Sequence, residues 1–135
     1  MEISLVRDVY PQTAKLSALF AAAGRQVEAD SLTRAVAQSP LVVSAWEDEK
    51  LVALARGITD GETVLLVADL AVDPAYDVKG LTAMLLNELR AMVPQIKRTV
   101  YLADAKDDTI NQDWRRAQEM NLTAWVKEDS NELVK

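Results

Sequence analysis

The apolar residues of this chain fall into short blocks whose period switches between two and about 3.6. Residues 3–6 alternate as a short edge strand. From Pro11 to Ala23 the period becomes helical. Leu16, Leu19, Phe20 and Ala23 share one face, Pro11 suits a first turn, and Gly24 can end the helix. A second helix is predicted to start at Asp30 or Ser31, bury Leu32, Ala35 and Val36, and stop before Pro40.

Three strands are predicted next. Residues 41–46 (LVVSAW) and 51–58 (LVALARGI) flank the polar turn EDEK, and TDGET supplies an Asp-Gly hairpin signal. Residues 63–72 (TVLLVADLAV) are apolar on both faces, as expected of a central strand in a covered sheet, and Asp69 is their one charged residue. A helix over about 79–93 carries the stripe Leu81, Leu85, Leu89 and Met92, turns Asn87 and Arg90 outward, and ends at Pro94. Residues 99–103 (TVYLA) read as a strand. Thr109 and Gln112 have capping-box spacing ahead of Ile110, Trp114, Ala117 and Met120, which repeat at helical spacing. LTAWV (122–126) reads as a last strand, and KEDSNELVK as a solvated tail. The order implies a single α+β (mixed α/β) domain over residues 1–135, with antiparallel strands first and a crossover helix later.

Composition narrows the chemistry. Of 135 residues, half are apolar and 27% charged, which suits a globular chain. The net charge of −6 argues against a nucleic-acid partner. With no cysteine and no histidine, thiolate nucleophiles, Ser-His pairs and the usual metal ligands are excluded. Acid–base work is left to carboxylates, lysines, tyrosines or the substrate. The start, MEISLVRD, lacks a signal-peptide pattern and no apolar run reaches membrane-spanning length, so a cytoplasmic protein without a membrane partner is expected.

The strand-to-helix junction DLAVDPAYDVKG (69–80) carries the strongest functional signal. Together with the order of elements it resembles the GNAT superfamily, small acetyl-CoA-dependent N-acetyltransferases, and the resemblance covers nearly the whole length. That family reads roughly L-x-V-x-P-x-Y and then Gln/Arg-x-x-Gly-x-Gly/Ala. Here Leu70, Val72, Pro74 and Tyr76 match the first phrase, and Asp77, Val78, Lys79, Gly80, Leu81 and Thr82 stand in the second. The resemblance implies a central twisted, mostly antiparallel sheet flanked by about four helices, and acetyl-CoA as cosubstrate. It also implies that Leu70, Ala71 and Val72 offer backbone groups to the pantetheine arm. Amides of the turn and first helical turn, over Asp77 to Thr82, would converge on the pyrophosphate, where unpaired N–H groups and the helix dipole favour an anion. Asn111 would be a further CoA contact.

This chain departs from the family pattern at four positions. Asp77 stands where Gln or Arg is usual, Thr82 where a small residue is usual, and Ala117 where a catalytic tyrosine is common; Asn121 takes the place of a glycine.

Asp69, alone in an apolar run, is the candidate general base, since burial can raise a carboxyl pKa; pairing with Arg56 or Lys79 is its structural alternative. Tyr101 can supply the missing phenol or pack in the core. Tyr76 and Trp114 read as packing, Glu62 as a solvated turn residue, and Trp46 and Trp125 as sheet or pocket residues. The expected reaction is acetyl transfer to a small-molecule amine or a protein amino group by direct attack in a ternary complex, without a metal. The alternatives are a catalytically reduced acyl-CoA-binding or regulatory homologue, and an unrelated interaction domain. Exposed strand edges make a homodimer possible.

Overall fold

The computed structural model describes residues 2–104, 110 and 113–129. In chain order the elements are β1 (Ser4–Arg7), α1 (Thr13–Ala22), α2 (Ala29–Gln38), β2 (Leu41–Glu47), β3 (Lys50–Thr59), β4 (Val64–Val72), α3 (Val78–Met92) and β5 (Arg98–Tyr101). One sheet holds the strands in the order β1-β2-β3-β4-β5; its first four strands pair antiparallel, and β4 pairs parallel with β5. The α3 crossover is what lets β4 and β5 run in the same direction.

Both faces of the sheet are covered. On one side α3 buries Leu81, Leu85, Leu86 and Leu89 against Val43, Leu65, Val67, Leu70 and Val72. On the other, α1 and α2 bury Leu16, Leu19, Phe20, Leu32 and Val36 against Val42, Leu54 and Ala71. This double cover explains why β4 is apolar on both faces.

The faces of β4 do not alternate regularly. Leu65 and Val67 belong to the α3 side, and so do Leu70 and Val72. The phase changes between them because Gly57 of β3 opposes Val67 while Arg56 opposes Asp69, leaving Ala68 as an extra residue. Ala68 is therefore a β-bulge, which bends its strand and ends regular pairing. The ladder with β5 runs from Val64↔Arg98 to Val67↔Tyr101 and stops at the bulge. Beyond it β4 continues without β5, and the sheet forks.

The α1 terminus is equally specific. Gly24 takes φ +80°, its amide donates to the Ala21 carbonyl and the Arg25 amide to the Phe20 carbonyl at 2.9 Å. This is the paired bonding of a glycine-terminated helix, and it fixes the direction in which the chain leaves.

The C-terminal region differs from the sequence expectation. Among its described residues only Ala117–Met120 is helical, as one 3-10 turn, so three α-helices of the described residues flank the sheet rather than about four. Ile110 and Trp114 do pack against the α3-side core. Residues 122–126 join no ladder, and Trp125 is 93% exposed, so an alternating pattern alone did not make a strand there. The expected capping pair Thr109 and Gln112 lies outside the described residues. No helix among the described residues is long and apolar enough to cross a membrane.

A Cβ at Gly24 would meet nothing within 4 Å, so the cost of a side chain there is purely conformational. Gly24→Ala should lower unfolding free energy by about 1 kcal/mol, read from urea denaturation; an unchanged midpoint would contradict the left-handed turn.

Candidate active site

The fork opens a cleft of about 710 Å³. Leu70, Ala71 and Val72 form one wall, Val78 and Thr82 of α3 the floor, and Tyr101 and Asp104 the β5 side; residues 23–27, the loop between α1 and α2, form a roof. Five of the residues predicted to meet a cofactor, Leu70, Ala71, Val72, Val78 and Thr82, thus line one cavity.

The backbone of the open strand is oriented toward this space. The Asp73 amide donates to Val52 of β3 at 2.9 Å. Successive residues of a strand direct their polar groups to opposite neighbours, so those of Val72 and Leu70 face the fork. The Leu70 carbonyl confirms the alternation, since it accepts from a side chain of the roof, Arg25 Nη2, at 2.8 Å.

At the other end of the cleft, α3 begins with a self-made anion. Asp77 is the N-cap, and its Oδ1 accepts from the Gly80 amide at 3.1 Å. A carboxylate at an N-cap satisfies one of the helix's orphan donors and suits its dipole. The same contact explains Gly80, because a Cβ there would collide with Asp77 Oδ2. Lys79 is exposed, Leu81 is turned into the core, and Thr82 is 2% exposed beside the cleft. Asn111 lies outside the described residues.

Asp69 is not the isolated carboxylate its sequence context suggested. Beyond the bulge its side chain lies on the α1–α2 side of the sheet, where Arg56 Nε donates to Oδ2 at 2.5 Å and Arg25 Nη1 stands 3.5 Å from Oδ1. The Arg56 partner is the structural alternative named for this residue; Lys79 takes no part. Arg56 Nη1 also lies 3.5 Å from Ser39 Oγ, which itself donates to the Ala35 carbonyl. Both carboxylate oxygens are therefore committed to guanidinium groups, and the network links the roof, β4, β3 and the end of α2.

Tyr76 serves the turn rather than the cleft. Its hydroxyl donates to Glu47 Oε1 at 2.6 Å, which raises the phenol pKa, while Glu47 Oε2 is buried with no hydrogen-bond partner. Lys50 lies over the Tyr76 ring at 5.2 Å and 3.3 Å from Asp73. The Ala75 amide, donating to Asp73, and the neighbouring Lys50 hold the Asp73 carboxyl below its usual range. Trp46 packs on the α1–α2 side with Lys15 above its ring.

Arg25 and the Ala68 bulge are the parts of the site that sequence reading missed. The signal for Arg25 was its place after Gly24, where a terminated helix fixes the next residue's direction. The bulge left no signal in a run apolar on both faces.

A sheet forked at a bulge, beside a helix N-terminus and under an interhelical loop, frames the cleft. The Acetyltransferase (GNAT) family sequence model matches residues 10–114, and the chain belongs to that family. A GNAT-family acetyltransferase from Streptococcus pneumoniae is similar in fold, with a TM-score of 0.82, 16% identity, and coverage of 96% of this chain and 100% of that one. A probable acetyltransferase of unknown function from meticillin-resistant Staphylococcus aureus gives 0.77, 16% identity, and coverage of 94% and 100%. An aminoglycoside acetyltransferase from an uncultured soil metagenomic sample, in complex with trehalose, gives 0.63, 16% identity, and coverage of 96% and 95%. A search of curated proteins finds no match.

The lowered Asp73 pKa has a testable sign. Its folded value lies below the ordinary 3.8, so its stabilisation is complete above that pH and vanishes as pH falls through the folded value. Asp73→Asn should therefore lose melting temperature at pH 7 and converge with the parent protein in acid. A difference that stays constant down to pH 2 would remove Asp73 from the acid response.

Proposed function

We propose that this protein is an acetyl-CoA-dependent N-acetyltransferase that acts by direct attack of an amine on the donor thioester. The observation that carries the reading is the fork itself: backbone groups of Leu70 and Val72 face a cleft that begins where the β4–β5 ladder ends. An extended chain of amides laid along an open strand finds the hydrogen bonds that β5 would otherwise supply.

The two halves of the donor fit unequally. The pantetheine half has an open strand on one side and Tyr101 on the other. The diphosphate half meets the α3 terminus, where Val78 and Lys79 can offer amides but the Gly80 amide is already bonded to Asp77. A diphosphate there requires the Asp77 carboxylate to turn aside.

In the reaction the amine nitrogen bonds to the acetyl carbon, the carbon–sulfur bond breaks, and the sulfur leaves as a thiolate that takes a proton. A backbone N–H of the open strand, from Leu70 or Val72, can polarise the thioester carbonyl. Tyr101, which lines the cleft and also packs against the α3-side core, is the candidate phenol for protonating the thiolate in place of the tyrosine missing at Ala117. In this reading Asp69 contributes by holding Arg25 and Arg56, and the amine reaches the site neutral or gives its proton to solvent. Holding both reactants in one cleft replaces roughly 7–11 kcal/mol of entropic barrier. The acceptor is a small-molecule amine or a protein amino group.

Calorimetry with acetyl-CoA and a thiol-release assay across an amine panel test the proposal. Binding without thiol release would leave a regulatory acyl-CoA binder; no binding at millimolar ligand would end the reading. Two substitutions dissect it. Tyr101→Phe should lower kcat by about 10²-fold with little change in donor KM; an unchanged kcat would clear Tyr101 of proton transfer. Asp77→Asn keeps a capping side chain and removes the charge, so acetyl-CoA should bind about threefold tighter, less so in high salt. Weaker binding would show that the carboxylate does not oppose the diphosphate.

A further inference from the structure

Arg25 makes more contacts with the cleft wall than any roof residue needs merely to close a loop. Its amide completes the α1 terminus by donating to Phe20, and its guanidinium lies 5.9 Å from the Phe20 ring centre. From there it crosses to β4, where Nη2 bonds the Leu70 carbonyl at 2.8 Å and Nη1 faces Asp69 at 3.5 Å. Two successive residues of the open strand, one by backbone and one by side chain, are thus held by one residue of the roof.

The Leu70 carbonyl faces the fork, where an amide-bearing ligand lying along β4 would seek a hydrogen bond. Arg25 already uses it. We propose that Arg25 is a displaceable positioning residue: in the free protein it fastens the roof to the donor strand through Leu70, and the amide arm of the acyl donor takes that carbonyl and releases the roof. Asp69 retains the guanidinium through the exchange, because it is met by the other terminal nitrogen, Nη1, and is itself fixed by Arg56. The roof is then free to shift while Arg25 stays tethered to Asp69. The inference rests on the acyltransferase reading above.

Acetyl-pantetheine is the informative probe, since it carries the amides but no diphosphate and so avoids Asp77. Removing the competitor at Leu70 should tighten it: Arg25→Gln is expected to lower its Kd by roughly 2–10-fold, the worth of one net hydrogen bond. Turnover with acetyl-CoA should show a split, with donor KM reduced and kcat also reduced as the roof loses its anchor. Arg25→Lys keeps a charge facing Asp69, serves if the Gln variant does not fold, and should shift affinity the same way. A residue that only stabilises the loop would lower the melting temperature and leave donor affinity unchanged. Equal or weaker binding of acetyl-pantetheine by a folded variant would overturn the latch, as would a donor complex with Arg25 still on the Leu70 carbonyl. If the parent protein binds neither acetyl-CoA nor acetyl-pantetheine, the failure belongs to the acyltransferase reading instead.

Discussion

A β-strand can be shared by two neighbours only while its residues stay in register with both. In β4 that condition holds from Leu65 to Val67 and ends at Ala68, the extra residue opposite the Arg56–Gly57 step. Pairing with β3 resumes beyond the bulge because a second register, Asp69 with Arg56 and Leu70 with Ala55, is available there. Pairing with β5 does not resume. The cleft follows from this mismatch, as does the reversal that sends Asp69 toward α1 and α2 while Leu70 and Val72 turn toward α3. One inserted residue sets the position of the cavity and the identity of the groups that face it.

The charged residues around the fork are arranged to hold it open rather than to fill it. Arg25, Arg56 and Asp69 form a bridge behind the strand, and Ser39 ties that bridge to the end of α2. Partly buried charges of this kind contribute little net stability if their partners are poorly placed, but they make alternative registers costly. At the far end Asp77 provides the α3 terminus with an internal anion. The two ends of the cleft therefore differ: two guanidinium groups face one carboxylate at the bulge, whereas an acid stands at the place suited to an anion.

Much of this fold was legible because periodicity is strong where burial is one-sided. The stripe Leu81, Leu85, Leu89 and Met92 placed α3 within a residue, and the hairpin strands were placed nearly as well. Legibility failed where two patterns looked alike. TVLLVADLAV is apolar on both faces, so a change of phase at Ala68 leaves no trace. Ile110, Trp114, Ala117 and Met120 have helical spacing, yet among the described residues there only one 3-10 turn forms, and Trp125 alternates correctly but stays 93% exposed. For the site, the junction residues were named from sequence and most meet one cavity. Arg25 was missed because its role depends on a contact 45 residues away along the chain.

Gly80 has a wider meaning for how such chains are read. A glycine at a strand-to-helix junction is commonly counted as a mark of phosphate approach, yet here the atoms nearest a Cβ would be those of the Asp77 carboxylate, which would have to shift. The presence of glycine and the presence of a ligand are then separate matters. In this chain the glycine touches its own helix cap, and a scan that scores it for phosphate counts a contact that the chain makes with itself.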